Sequence, residues 1–306
     1  MSPFMKGISY AMASYFFMAL YSVFLKKASG TGDSVVWINF ISYFTGAIIL
    51  TPYMMTKGTA FLKTSHFPTH LGRAFCGVLS SFLYTSSMAY IPLVSATLFF
   101  NTSPLFIPLL SIFILGATVG YKDWIAVFIG FVGVVVIMHP WSAAPAAAAT
   151  VTTAQGHSGM GELIALGSGF FLGLGYIFVK MLTATDSKTL ITYYFCVFAS
   201  LMQLPFVFFV PHMPAWSSIA FAAGSGFMMV AVQFFLAAAY SYADASKIGA
   251  LQYSSLLFVG LISWILWNEV PSLMNLAGMA LVVVGGIMIV TQSTSKPTPA
   301  IHPTST

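Results

Sequence analysis

Charge is what this 306-residue sequence has least of: Asp, Glu, Lys and Arg make up 6% of it, where a soluble globular domain carries roughly 25%. So little charge cannot solvate a surface. That excludes a soluble enzyme, a disordered chain and a nucleic-acid binder, because none could present this much apolar area to water. Cysteine is nearly absent too. Cys76 and Cys196 stand alone in apolar runs, with no CxxC and no His/Cys cluster, and read as small buried apolar residues. Six acidic residues face eleven Lys and Arg, and the resulting +5 describes loops facing an anionic membrane surface, with no basic patch for nucleic acid. HExxH, GxSxG and paired carboxylates are also missing. An intramembrane enzyme therefore has no machinery here, and no cofactor or metal is expected.

What is present is hydrophobic, at 58% of residues, with 16% aromatic. A membrane-spanning helix needs about 20 mostly apolar residues, and ten runs qualify: Ile8 to Leu25, Val35 to Met55, Leu71 to Tyr90, Val94 to Leu115, Trp124 to Met138, Glu162 to Leu182, Leu190 to Val210, Ser217 to Tyr240, Ser246 to Trp267 and Leu273 to Thr291. The first is as long as its successors and lacks a small-x-small cleavage site, so it is a span and not a signal peptide. Ten crossings put both termini on one side. That side then holds Lys6, Lys57, Lys63, Arg73, Lys122, Lys180, Lys188, Lys247 and Lys296, leaving Lys26 and Lys27 opposite. Positively charged loops stay cytoplasmic, so both ends are expected inside the cell, in the inner (plasma) membrane. Trp37, Trp141, Trp216 and Trp267 fall at outer span ends and Trp124 at an inner one, as in an interfacial belt. The stretch 140–161 is rich in Ala, Pro, Thr, Gly and Ser and reads as an external linker; 293–306 reads as a disordered cytoplasmic tail.

An offset of 154 residues pairs Phe16 and Phe17 with Phe170 and Phe171, Phe24 with Phe178, and Lys26 with Lys180; an offset of 150 pairs Ala89 and Tyr90 with Ala239 and Tyr240. Each half, 1–139 and 162–292, holds five spans. Five is odd, so two copies of one unit must enter the membrane from opposite sides, as inverted repeats. The expected fold class is an all-α membrane protein of ten transmembrane helices in two inverted five-helix repeats. A site between such copies opens to either side when they exchange conformations, which is the geometry of alternating access.

The run Ala89 to Thr97, then Ser103 to Phe106, then Gly130 to Val136, resembles the first-repeat signature of the EamA family of the drug/metabolite transporter superfamily. Its second-repeat counterpart lies in Ala239 and Tyr240, Asp244 to Ser246, Tyr253 and Ser254, Asn268 to Pro271, and Gly278 to Gly285. The resemblance covers nearly the whole chain. It implies a ten-helix inner-membrane carrier of small organic solutes, with a central cavity between the third, fourth, eighth and ninth spans and contributions from the first and sixth. Carriers of amino acids, S-adenosylmethionine, riboflavin and nucleoside-like solutes share the family. One departure is Ala117, where the family often has Glu; the second repeat keeps Glu269.

Polar groups inside a membrane are costly and need a partner or a function. Asn101, Thr102 and Ser103 lie near the middle of the fourth span, followed by Pro104 and Pro108, and the 150-residue offset puts Leu251, Gln252 and Tyr253 at the equivalent depth of the ninth. Each proline frees a carbonyl. Two readings stand for Asn101, Gln252 and Tyr253: a substrate site, or hydrogen bonds that hold helices together. Gln233 is a further candidate, and Tyr15, Tyr84 and Tyr176 (with Tyr21) could line a cavity or pack. Gly169 and Gly173 read as a close-packing pair. All six carboxylates fall at span ends, which argues against a mid-membrane proton relay. Lys26 and Glu269 share the outer face as a possible gate or as solvated end-caps. His66, His70, His139, His157, His212 and His302 fall in loops or at span ends and are expected to be solvated or interfacial. The expected function is a transporter of a small organic metabolite, an amino acid or similar polar solute, with S-adenosylmethionine or another nucleoside-like solute as the alternative. A channel or a membrane scaffold is the alternative from another class. The expected partners are the solute and the bilayer, with no nucleic acid, and the chain is expected to be a monomer or homodimer.

Overall fold

A computed structural model describes residues 2–29, 33–58, 62–87, 90, 93–138, 158–210, 212–267 and 272–291. The described residues hold helices and no strands: α1 (Pro3–Ser29), α2 (Val35–Lys57), α3 (Phe67–Ser87), α4 (Leu93–Phe100), α5 (Ser103–Leu115), α6 (Tyr121–Met138), α7 (Ser158–Leu182), α8 (Lys188–Val207), α9 (Trp216–Tyr242), α10 (Ala245–Ala250), a 3-10 turn (Leu251–Tyr253), α11 (Ser254–Trp267) and α12 (Leu273–Thr291). Followed through their breaks, α4 with α5 and α10 with α11, they form ten rods on the ten apolar runs. Eight stretches are long and apolar enough to cross a membrane. The sixth rod starts at Ser158 rather than Glu162. Most of the expected linker, and the tail, lie outside the described residues.

Helix is the forced choice for these sequences, because hydrocarbon offers a backbone N–H or C=O no partner outside its own segment. Where helices end, specific groups take over. The Ser34 Oγ accepts from the Val36 N–H at 3.3 Å and the Ser187 Oγ from the Leu190 N–H at 3.3 Å. Gly116, at φ 62°, closes α5 in the left-handed conformation that a side chain disfavours.

The packing follows a regular scheme. α1 lies along α9 and α3 along α7; α2 faces α8; α6 pairs with α12; α4 and α5 pack on α7 while α11 packs on α1. Small residues permit these approaches. A Cβ on Gly133 would stand 2.7 Å from the Gly278 carbonyl oxygen, and one on Gly278 would stand 2.7 Å from that of Gly133, so α6 and α12 touch backbone to backbone. Buried serines cross-link the rods: Ser14 donates to the Val232 carbonyl at 2.9 Å, Ser80 to that of Ser168 at 2.7 Å, and Ser42 and Ser225 meet at 2.5 Å. Large apolar residues point outward instead, such as Phe113 at 83% and Leu273 at 87% exposure, as expected of a chain whose solvent is lipid.

Candidate functional site

Two helix breaks define the centre. In the fourth rod, α4 stops at Phe100 and α5 starts at Ser103. Pro104 has no N–H and its ring crowds the Phe100 carbonyl, so the helix cannot run straight through. The chain tightens instead, with the Thr102 N–H donating to the Phe99 carbonyl at 3.0 Å and the Leu105 N–H to that of Thr102 at 2.8 Å. The Asn101 Nδ2 donates to the Thr97 carbonyl at 2.9 Å and the Thr102 Oγ1 to that of Phe99 at 2.6 Å. In the ninth rod, Leu251–Tyr253 form a 3-10 turn between α10 and α11 without any proline, and mid-helix 3-10 turns often mark hinges. Here the Tyr15 hydroxyl on α1 donates to the Ile248 carbonyl at 2.7 Å, and the Ser254 Oγ to that of Leu251 at 2.7 Å. The breaks meet: α10 packs on α5, and the Ser103 Oγ donates to the Gln252 Oε1 at 3.3 Å. Gly169 and Gly173 of α7 close the other side, since a Cβ on Gly169 would lie 2.7 Å from the Phe99 carbonyl oxygen.

The remaining sequence candidates divide into groups. Tyr84 stands beside the fourth-rod break, its hydroxyl 2.8 Å from the Thr97 Oγ1 and its ring 4.8 Å from Phe100. Tyr15 and Tyr176 share one buried cluster with Tyr240. Tyr253 turns away into a separate cluster with Val134 and Val282, and its ring lies against Gly130. Lys26 lies exposed in the last turn of α1, and Glu269 is outside the described residues.

Gln233 leads to a residue that was not among the sequence candidates. Its Oε1 accepts from the Arg73 Nη2 at 3.1 Å. Arg73, counted among the charges of the cytoplasmic face, is in fact 2% exposed on the inward face of α3 with His70, Ala74, Gly77 and Ser80. Aromatic faces stand in for water around it: the guanidinium carbon is 4.2 Å from the Phe195 ring centre and 5.6 Å from that of Tyr176. Glycines make the room, since a Cβ on Gly175 would lie 3.0 Å from the Nη1 and one on Gly77 3.1 Å. The Nε and Nη1 are buried with no hydrogen-bond partner, as is the Tyr240 hydroxyl, whose ring is 6.1 Å from that of Tyr176. The signal lay within the third run, which begins at Leu71 and so encloses Arg73; a cation inside an apolar run is a functional candidate by default.

Other end charges are also less solvated than expected. His70 is buried, not solvated: its Nε2 donates to the Asp186 Oδ2 at 2.8 Å, the Thr64 Oγ1 donates to the same oxygen at 2.8 Å, and the Tyr194 ring lies 4.7 Å away. The Lys180 Nζ caps α9 by donating to the carbonyls of Tyr240 at 2.7 Å and Ala243 at 2.8 Å. Lys247 is buried over the Phe4 ring. Burial in small, aromatic and carbonyl-rich surroundings takes the place of hydration around these groups. The described carboxylates keep to helix ends: Asp33 and Asp186 in connections, Asp244 just before α10, and Asp123 and Glu162 near the starts of α6 and α7. Among the described residues no His, Cys, Asp and Glu group could hold a metal. The chemistry available is recognition: amides, hydroxyls, one buried guanidinium and aromatic faces around two broken helices.

The profile of the EamA-like transporter family matches residues 5–139 and 159–291. The riboflavin transporter of Vibrio cholerae is 26% identical over 262 residues, covering 85% of this chain and 84% of that protein. The pseudopaline exporter of Pseudomonas aeruginosa is 25% identical over 287 residues, 92% of this chain and 95% of its own. The S-adenosylmethionine uptake transporter of Rickettsia prowazekii is 22% identical over 290 residues, 95% and 94%. A protein crystal structure 18% identical in sequence matches with a TM-score of 0.76 over 94% of this chain and 96% of that one, a likeness of fold.

Proposed function

The chain belongs to the EamA-like transporter family, a family of membrane transporters and not of enzymes, and from that premise we propose that it carries a small polar organic metabolite across the inner membrane by alternating access. The observation that carries this reading is the pair of helix breaks at Asn101–Thr102 and Leu251–Tyr253, 150 residues apart and joined by the Ser103–Gln252 hydrogen bond. Broken helices at the interface of two repeats are where carriers bind solutes, because only there is irregular backbone tolerated at membrane depth.

In this reading 1–139 and 162–292 are two inverted five-span repeats. The packing scheme supports them: exchanging each rod for the one five places along turns the α1–α9 pair into the α3–α7 pair, and maps α2–α8 and α6–α12 onto themselves. The stretch 140–161 links the repeats outside, and both termini, with the tail 293–306, are cytoplasmic. Asn101 and Gln252 contact the solute, Gln233 orients Arg73, Tyr84, Tyr15 and Tyr176 supply the walls, Tyr253 holds the second break in place, and Lys26 with Glu269 forms the outer gate. The chain works as a monomer or homodimer. A nucleoside-like solute such as S-adenosylmethionine is the second reading, favoured by the likeness to the S-adenosylmethionine uptake transporter of Rickettsia prowazekii. The test is uptake into proteoliposomes by the purified chain, with amino acids, nucleosides, riboflavin and S-adenosylmethionine offered in turn. Saturable uptake that unlabelled solute on the opposite side accelerates supports a carrier. Uptake linear in concentration, without that acceleration, contradicts it.

A further inference from the structure

We propose that Arg73 binds the carboxylate of the transported solute, so that the substrate is a small organic monocarboxylate, amino acids included. This deepens the carrier reading and rests on it. A guanidinium offers five N–H donors, and those on Nε and Nη1 meet no acceptor although the side chain is 98% buried, at 2% exposure. Among the described residues no carboxylate pairs with it: Asp186 is held by His70 and Thr64, Asp33 by Ser218 and the Ala215 N–H, and the others stand at helix ends. The Phe195 and Tyr176 rings stabilise the positive charge without satisfying its donors. The Tyr240 hydroxyl, next to Tyr176 and equally without a partner, adds a further donor on the same side.

A scaffold does not need such a group. A buried ion with unmet donors lowers stability, and an apolar residue of similar size is often no worse or better. Symmetry does not require it either, since the 150-residue offset puts Ala223 at the corresponding position of the second repeat. Lys180, in the last turn of α7, is committed to the carbonyls of Tyr240 and Ala243. The cluster therefore balances one negative charge, which fits a carboxylate better than a phosphate dianion. Planar guanidinium and planar carboxylate are matched in shape, which a lysine at this position would not reproduce.

The test is thermal unfolding of the purified full chain with the proteinogenic amino acids, pyruvate and benzoate, each beside the carboxamide that removes its negative charge, and with riboflavin as a neutral control. At least one carboxylate raises the Tm and its carboxamide does not. In Arg73→Met the rise disappears while the ligand-free Tm equals or exceeds that of the parent; in Arg73→Lys the protein folds and its apparent affinity is weakened several-fold. The inference is overturned if no carboxylate raises the Tm, if a rise survives in Arg73→Met, or if Arg73→Met lowers the ligand-free Tm, which marks a structural role. Saturable, trans-stimulated uptake of riboflavin by Arg73→Met would overturn it too and leave the carrier reading standing. Absence of saturable uptake of every solute by the parent chain is the distinct failure of that reading.

Discussion

Replacing Tyr15 by Phe removes one oxygen from the centre of the molecule and nothing else. The hydroxyl donates at 2.7 Å to the carbonyl of Ile248, just before the 3-10 turn, and joins α1 to the broken ninth rod. Tyr15 is 1% exposed, so water cannot take the place of the lost donor, and Phe fills the same volume, so no cavity term is added. Hydrogen bonds between membrane helices average about 0.6 kcal/mol, with a maximum near 1.7. The short distance and full burial place this one in the upper half, at about 1–1.7 kcal/mol. At about 2–4 °C per kcal/mol for large domains, the Tm should fall by about 2–7 °C. A thiol-reactive dye reads the transition, because Cys76 and Cys196 are free and buried until the helices separate. Tyr53→Phe, on an exposed face of α2, is the control and should leave the Tm unchanged. An unchanged Tm for Tyr15→Phe would refute the role given to this bond, and if Tyr15→Ala then lowered it strongly, packing rather than the hydroxyl would be what holds the break.

Three further outcomes are expected. Gly133→Val forces a branched side chain into a gap where even a Cβ would lie 2.7 Å from the Gly278 carbonyl; separating α6 from α12 should cost about 1–3 kcal/mol, read as a lower Tm and as loss of folded protein in detergent. Transport down a solute gradient should persist when the proton gradient is collapsed, because the described carboxylates lie at helix ends; strict dependence on an imposed pH gradient, checked with ionophores in proteoliposomes, contradicts this. A membrane-impermeant thiol reagent applied to intact cells should modify Thr150→Cys and spare Ser65→Cys, and the reverse pattern would remove both the orientation and the inverted repeats.

The rods were legible because hydrophobic run length is a direct physical requirement of the bilayer; all ten runs carry helix within a few residues of their expected ends. The break in the fourth rod was legible from Pro104, since a missing N–H is a property of the residue itself. That in the ninth was not, because Leu251–Tyr253 carry no such residue and the turn there is settled by partners from elsewhere, the Tyr15 hydroxyl among them. The burial of Arg73 was not legible because a positive-inside count gives only the side on which a cation falls and not what surrounds it. What keeps it inside is a set of neighbours from three other helices, Tyr176, Phe195 and Gln233, which no local pattern in α3 reveals. His70 fails for the same reason, its partner Asp186 lying in the distant connection before α8. Tyr253 shows the converse: its place in the ninth rod was legible, but the side of the helix it faces depends on how the 3-10 turn rotates it onto Gly130.

The central claim, that solute binds where the two broken helices meet, is tested most directly by measuring solute affinity and ligand-free Tm together on Asn101→Ala and Gln252→Ala. The Gln252 amide is 1% exposed and already held by Ser103, and the Asn101 amide by the Thr97 carbonyl, so each presents the capacity that its protein partner leaves unused. Each substitution should weaken affinity for the transported solute by about fivefold, the equivalent of about 1 kcal/mol, with little change in Tm for Asn101→Ala, whose bond is within its own rod. Unchanged affinity with a lowered Tm in both variants would make these amides structural and move the site away from the breaks.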